Sequence, residues 1–136
     1  MSQANIDIAK NGYAAFGRGD IAAILATLSD DVEWTAPGEG IPTEGTYRGV
    51  AEVARFFEIV GRTWNFTAFE PREYIASGDT VVAIGSYSAT ARATGNSVAS
   101  EWVMVWKMRA GKIAYFREYT DTQALASAVT ARAAAH

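Results

Sequence analysis

The sequence predicts one α+β domain, with helices gathered on one face of an antiparallel sheet. Its 136 residues match the usual size of one domain, and an apolar fraction of 49% suffices for one core. Apolar residues recur at helical spacing in the first half of the chain, and from Thr63 onward their period becomes two. Helices followed by consecutive strands are typical of the α+β class. No repeat or linker interrupts the pattern, so we expect a single domain over residues 1–136.

The first half begins with two helices and a short strand. Apolar spacing predicts a helix over 6–16, ended by the glycines that follow it. Asp20 occupies the N-cap position of a second helix over 21–28, which a pair of aspartates closes. A short strand over 33–36 then leads into a turn-rich loop over 38–49.

The second half reads as a third helix followed by long strands. The helix covers 50–60 and stops at Gly61. The strands are joined by short glycine-containing turns and lie at 64–76, 80–94, 98–109 and 112–120. Because they are long and consecutive, we expect an antiparallel meander. Thr120 begins a threonine-x-x-glutamine capping box, which predicts a terminal helix over about 121–133.

Alternation along the strands predicts which side chains face the interior. Over 98–108 the even positions carry the bulky residues, so the even face should point inward. Along 112–120 both faces carry large side chains, and composition alone favours neither.

Charge argues against polyanionic partners. The net charge is -3 without any run of like charges, so the sequence lacks the electrostatic footprint of a protein that binds nucleic acid or an anionic membrane. The first ten residues lack the pattern of a signal peptide, and no window approaches the roughly 18 apolar residues of a membrane span. We therefore expect a cytoplasmic protein without a membrane partner.

Residue types also limit the chemistry. The absence of cysteine excludes disulfides, thiolate nucleophiles and thiolate metal ligands. The only histidine is His136 and the carboxylates are scattered, so we expect no metal site. No glycine pattern suits a phosphate, and the sequence predicts no cofactor.

The stretch from Gly19 to Phe57 carries the most specific pattern. A capped helix, an acidic turn, a strand closed by Ala-Pro-Gly and an amphipathic helix follow in fixed order. With the segment 102–120, this order resembles the ketosteroid-isomerase and SnoaL-like branch of the nuclear transport factor 2-like superfamily. The resemblance implies a cone-shaped domain in which a curved sheet, with N-terminal helices on its concave face, surrounds an apolar pocket. Such a fold hosts many unrelated chemistries.

The steroid isomerase mechanism does not carry over to this chain. That mechanism uses a tyrosine, a protonated aspartic acid and a carboxylate base. By the resemblance, their positions hold Gly12, Met104 and Ala36. Tyr13 lies one residue away from the first position, about 100° around the helix. Steroid isomerisation is therefore disfavoured.

Glu118 is the sole acid–base candidate for the pocket. The resemblance places it on the concave face, and SnoaL-like polyketide cyclases and limonene-epoxide hydrolases use acid–base residues on inner strands. A carboxylate among apolar side chains loses hydration, which raises its pKa toward neutrality. The alternative is a structural glutamate bonded to a tyrosine or an arginine. The remaining predicted ligand contacts are Tyr13, Trp34, Phe56, Tyr87, Trp102, Met104, Phe116 and Thr120.

Alternation places a second polar cluster on the face opposite Glu118. Its members are Arg117, Tyr119 and Asp121. We expect Asp121 to cap the terminal helix, and Arg117 to pair across a dimer contact with an acidic side chain such as Glu101. Apolar side chains on this convex face would leave a patch exposed on a monomer, which predicts a homodimer.

Two classes of function remain open. The first is a cofactor-independent isomerase, cyclase, dehydratase or epoxide-hydrolase-like enzyme, in which Glu118 moves a proton on a small hydrophobic molecule. The second is a noncatalytic module of the same fold, which binds a ligand or only dimerises.

Overall fold

The computed structural model describes residues 2–130, which form four helices and six strands. The helices are α1 (Ser2–Gly17), α2 (Ile21–Leu25), α3 (Val50–Thr63) and α4 (Thr122–Thr130). The strands are β1 (Leu28–Ala36), β2 (Gly45–Arg48), β3 (Trp64–Ser77), β4 (Thr80–Ala91), β5 (Ser97–Arg109) and β6 (Lys112–Thr120). No described helix has the length and apolar character needed to cross a membrane.

The six strands form one curved sheet in the order β2-β1-β6-β5-β4-β3. Strands β3 to β6 make the predicted antiparallel meander, and the predicted α+β fold class is confirmed. One pairing departs from a purely antiparallel sheet, because β1 runs parallel to β6. Apolar alternation indicates which face of a strand is buried, but not which distant strand it pairs with. No local sequence pattern therefore predicts this parallel pairing.

The second helix is shorter than predicted. Asp20 caps it as expected, because its Oδ1 accepts a hydrogen bond of 3.1 Å from the Ala23 amide. The helix ends at Leu25, however, and the predicted last helical residue, Leu28, begins β1. Leu28 pairs with Ile113 of β6, whose amide donates to the Thr27 carbonyl at 2.8 Å. Pairing with a distant strand thus overrides the helical spacing.

Two further boundaries differ in the region predicted as a loop and third helix. The strand β2 lies inside the predicted loop 38–49 and pairs with the second half of β1. Helix α3 continues through Gly61 to Thr63. An exposed glycine lowers helix stability by about 1 kcal/mol relative to alanine, but it does not end a helix that other residues hold in place.

The terminal helix is capped by a different residue from the one in the capping box. Asp121 Oδ1 accepts a hydrogen bond of 3.0 Å from the Ala124 amide, which confirms the predicted cap by Asp121. Thr120 does not cap, since it is the last residue of β6 and its hydroxyl contacts those of Tyr87 and Ser100. The predicted helical positions 131–133 lie outside the described residues.

Strand β4 ends at Ala91, before the predicted residue 94.

The core lies against the concave face, where the even face of β5 points inward as predicted. Trp102, Met104 and Trp106 are buried there. Opposite Trp102, Gly85 of β4 has no room for a side chain: a Cβ atom would lie 2.2 Å from the Glu70 carbonyl oxygen and 2.6 Å from the Trp102 ring. The glycine therefore allows an indole ring to lie flat on the sheet.

The helices cover this face from three sides. Helix α1 packs on β3 and β4, α3 packs on β1 and β2, and α4 packs on β5 and β4. A hollow remains between the helices and the sheet.

Candidate functional site

A cavity of about 90 Å³ lies between the concave face and helices α1, α3 and α4. Its wall is mostly aromatic. Among the predicted residues, those that line it are Tyr13, Trp34, Phe56, Tyr87, Met104, Phe116 and Glu118.

Two predicted ligand contacts, Trp102 and Thr120, do not line the cavity. The Trp102 ring is buried behind Tyr13, with the two ring centroids 5.4 Å apart in a stacked arrangement. The Thr120 hydroxyl lies 2.9 Å from the Tyr87 hydroxyl, at the end of β6. Alternation assigned Trp102 to the correct face, and the family resemblance did so for Thr120, but neither indicates how deep a residue lies behind other side chains.

The wall also contains residues that were not predicted as ligand contacts, among them Ile41, Thr43 and Leu125. The first two lie on the loop before β2, and the third lies on α4. Ile41 is the one apolar aliphatic residue in a polar, glycine-rich segment, which was an available signal. Nothing local marked Leu125, because the position of α4 depends on its packing against β4 and β5.

Among residues 2–130, Glu118 is the only acidic residue in the wall of the cavity. It lies opposite Met104 in the register of β5 and β6, on the inward face. Burial raises the pKa of Glu118 from an ordinary 4.5 to about 7. Both protonation states of this carboxyl group are therefore populated near neutral pH, as general acid–base chemistry requires.

Tyr87 is the polar neighbour of Glu118. Its hydroxyl oxygen lies 3.4 Å from Glu118 Oε2, which is long for a hydrogen bond between oxygens. Burial, followed by the nearby charge of Glu118, raises the pKa of Tyr87 far above its usual range. Tyr87 is therefore neutral at any pH at which the fold is expected to function.

Tyr13 places a second hydroxyl at the cavity. It accepts a hydrogen bond of 2.9 Å from Trp106 Nε1 and donates to the Met104 sulfur at 3.1 Å. Burial raises the pKa of Tyr13 well above 10.0. The rotation of about 100° from Gly12 thus does not keep this tyrosine away from the wall, where Gly12 and Met104 also lie.

Trp34 carries an unused hydrogen-bond donor. Its ring stacks on Phe116 at a centroid distance of 3.9 Å, because the parallel register pairs these two residues. Trp34 is only 2% exposed, and its Nε1 has no hydrogen-bond partner among residues 2–130. Buried N–H groups of proteins are nearly always paired, and the Nε1 of Trp102, which lies outside the wall, is unpaired in the same way.

The polar cluster on the convex face is separate from the cavity. Arg117 lies over the Tyr119 ring, 5.2 Å from its centroid, and Asp121 caps α4. Glu101 forms an exposed ion pair with Arg72 at 3.6 Å within the same chain. Over residues 2–130 no cluster of histidine, cysteine, aspartate or glutamate suits a metal ion.

Comparison with known proteins gives a family match. The model of the SnoaL-like domain family matches residues 9–116. No curated protein matches the chain.

Several solved structures share the fold over nearly the whole chain. An NTF2-like protein from Burkholderia xenovorans LB400 is 35% identical, with 96% of this chain and 98% of that chain covered and a TM-score of 0.88. An NTF2-like protein from Burkholderia thailandensis E264 is 36% identical, with the same coverage of 96% and 98% and a TM-score of 0.85. TerC, co-crystallised with polyporic acid, is 30% identical, with 93% and 98% covered and a TM-score of 0.81.

Proposed function

Because this chain belongs to the SnoaL-like domain family, whose fold holds small hydrophobic molecules, we propose that it is a cofactor-independent enzyme acting on a small aromatic molecule. Glu118 is its catalytic acid–base group. The reaction class is proton transfer, as in an isomerisation, a cyclisation, a dehydration or the addition of water.

One observation carries the proposal: a single carboxyl group with a pKa of about 7 lies in the wall of an aromatic cavity. General acids and bases are most effective when their pKa lies near the working pH. Of the two structural alternatives, a tyrosine contact is present, because the Tyr87 hydroxyl lies at a long 3.4 Å from the carboxyl group. Pairing with an arginine would lower the pKa of Glu118. No such pair is found for Glu118 in the described part of the chain.

The wall also supports the class of ligand. Aromatic side chains such as Phe56, Phe66 and Phe116 offer faces and edges to an aromatic ring. The unpaired Nε1 of Trp34 offers a donor to an oxygen atom of the ligand. TerC, at 30% identity, was co-crystallised with polyporic acid, which makes this compound a suitable first probe.

Ligand entry requires movement of the wall. The cavity of about 90 Å³ is smaller than the roughly 150 Å³ of an engineered cavity that holds benzene. Ile41 and Thr43, on the loop before β2, and Leu125, on α4, are among the wall residues outside the sheet and the longer helices. We expect these three side chains to move outward when a ligand enters.

The test compares wild type with Glu118→Gln. Polyporic acid and a panel of smaller aromatic carbonyl compounds are titrated by tryptophan fluorescence, and bound compounds are then analysed for conversion by mass spectrometry. We expect the variant to retain its dissociation constants, because glutamine has the same shape. Its turnover should fall about 100-fold or more, the usual contribution of general acid–base catalysis.

Glu58→Gln is the matched control, since Glu58 is an exposed residue of α3. It should keep full turnover. Equal turnover in wild type and Glu118→Gln would refute the catalytic role. Binding without conversion of any compound by wild type would leave the noncatalytic binding module as the function.

The proposal includes a homodimer joined through the convex face of β5 and β6. Tyr119 is 48% exposed there, and Val103, Val105 and Tyr115 on the same face are only partly buried. An apolar sheet face of this kind favours association with a second copy.

A further inference from the structure

Three hydroxyl groups connect Glu118 to the end of the sheet. Tyr87 Oη lies 3.4 Å from Glu118 Oε2 and 2.9 Å from Thr120 Oγ1. Thr120 Oγ1 lies 2.9 Å from Ser100 Oγ, which lies 2.7 Å from the main-chain carbonyl oxygen of Glu101. We call Tyr87, Thr120 and Ser100 the hydroxyl row.

The direction of the hydrogen bonds is fixed at the far end of the row. A carbonyl oxygen can only accept, so the one hydrogen of the Ser100 hydroxyl is donated to Glu101. The Ser100 oxygen also accepts from the Asp121 amide at 3.1 Å. Ser100 therefore has no hydrogen left for Thr120, and only Thr120 can donate in the contact between them.

The donor in the contact between Thr120 and Tyr87 follows from the use of the Thr120 hydrogen. The Thr120 hydrogen is used toward Ser100, or toward the Glu101 carbonyl at 3.4 Å, which lies at the same end of the row. In either case Tyr87 must donate to Thr120, and its only hydrogen points away from Glu118. The distances agree, since Tyr87 is 2.9 Å from Thr120 but 3.4 Å from the carboxyl oxygen.

We infer that the hydroxyl row leaves Tyr87 able only to accept a hydrogen bond from Glu118, so that Glu118 meets its ligand as a protonated general acid. The inference deepens the proposed function and rests on it. Tyr87, Thr120 and Ser100 are positioning residues, because they act through the carboxyl group. A protonated carboxyl donates to the Tyr87 oxygen, whereas a carboxylate would face that oxygen without a hydrogen between them.

The other groups around Glu118 do not oppose this state. From α1, Tyr13 faces the cavity as a neutral phenol, and from β5 the register partner Met104 carries no charge. Beyond the end of β6, the negative charge of Asp121 opposes ionisation of Tyr87 and so raises the pKa of that phenol. Within the described part of the chain, no cationic side chain lies in the wall of the cavity.

The proposed proton transfer needs no cofactor to account for its atoms and electrons. The O–H bond of Glu118 breaks, the hydrogen bonds to an acceptor atom of the ligand, and the electron pair stays on the carboxylate. The protonated ligand then returns a proton to the Glu118 carboxylate, either from one of its own atoms or from a water molecule whose hydroxide adds to the ligand, and this restores the acid. Because the carboxylate has no donor from Tyr87, its return to the protonated form is favoured.

The experiment titrates Glu118 itself, in the absence of any ligand. Glutamate labelled with ¹³C at the carboxyl carbon is incorporated, and the signal of Glu118 is the one missing from Glu118→Gln. Thr120→Val removes the acceptor of the Tyr87 hydrogen, which then turns to the carboxylate. We expect the pKa of Glu118 to fall by about one unit, a tenfold change in its proton affinity.

A double-mutant cycle separates this effect from a structural disturbance. In a Tyr87→Phe background, Thr120→Val should leave the pKa of Glu118 unchanged, because no phenol hydrogen remains to turn. Thr120→Ser, which keeps the hydroxyl, should restore the wild-type pKa. Thr46→Val is the control for loss of a hydroxyl elsewhere, since Thr46 pairs with Thr35 on β1 and β2.

The inference is overturned if Thr120→Val does not lower the pKa of Glu118, or lowers it equally with and without the Tyr87 hydroxyl. Failure of the proposed function gives a different pattern. In that case the wild-type protein converts no compound, while the titration, which contains no ligand, still responds to Thr120→Val.

Discussion

At the scale of single residues, Glu118 links the stability of the fold to pH. Burial raises its pKa from 4.5 to about 7, so between these values the folded protein holds a proton that the unfolded chain releases. The resulting stabilisation is complete below about pH 4.5 and is lost as the pH rises through 7. Ionisation of Glu118 thus weakens the fold, in contrast to a carboxylate in an ion pair.

We expect Glu118→Gln to remove this dependence and to exceed wild type in stability at alkaline pH. At about 1.4 kcal/mol per pKa unit, the free energy of unfolding of the variant should gain up to about 3 kcal/mol on wild type between pH 5 and pH 8. Urea unfolding across this range measures the difference. Glu58→Gln should follow wild type, and a Glu118→Gln curve parallel to wild type would contradict the burial of the charge.

How far the site could be predicted depends on what alternation can report. Alternation grouped Glu118 and Phe116 on one face of β6, because a strand repeats every two residues, and the family resemblance assigned that face to the interior. It could not tell that Trp102 lies behind Tyr13, since depth depends on which helix covers the sheet. Leu125 was missed for the same reason.

At the scale of secondary-structure elements, the contact between β4 and β5 depends on Gly85. This residue is buried between the Glu70 carbonyl on β3 and the Trp102 ring on β5. Because one neighbour is main-chain and the other is a packed indole, neither can move away cheaply.

We expect Gly85→Ala to lower the free energy of unfolding by about 2–3 kcal/mol, as overpacking does in close-packed cores. Gly61→Ala is the matched control. Gly61 is helical and exposed, and a Cβ atom there meets no atom within 4 Å. The control should raise stability by up to about 1 kcal/mol. Chemical denaturation measures both, and equal effects would refute the account of the β4–β5 contact.

Elements were predictable where their signal is local. The Asp20 cap and the three hairpins of the meander follow from capping and turn chemistry within a few residues. The end of α2 and the strand β2 did not, because Leu28 and the segment Gly45–Arg48 owe their extended form to distant partners.

At the scale of the whole molecule, the proposed homodimer gives a prediction about mass in solution. Wild type should sediment as a dimer at micromolar concentration, since the face around Tyr119 is apolar and partly exposed. Tyr119→Glu would place a charge in each copy of that face, and it should yield a monomer.

Ala51→Glu is the control for that experiment. It adds the same charge at an exposed position of α3, away from the convex face, and should leave the dimer intact. A monomeric wild type, or a dimer that tolerates Tyr119→Glu, would contradict an interface on β5 and β6.

The parallel pairing of β1 with β6 has a consequence for synthesis of the protein. Trp34 emerges early from the ribosome, whereas its sheet neighbour Phe116 is translated near the end. Contacts so distant along the chain slow folding, and until β6 is made the nascent chain keeps one edge of β1 open to association with other chains. Translation of β6 provides the strand that pairs with this edge, and it also adds Glu118 to the chain. A chain interrupted before residue 112 therefore lacks both the β1–β6 pairing and the acidic group of the cavity.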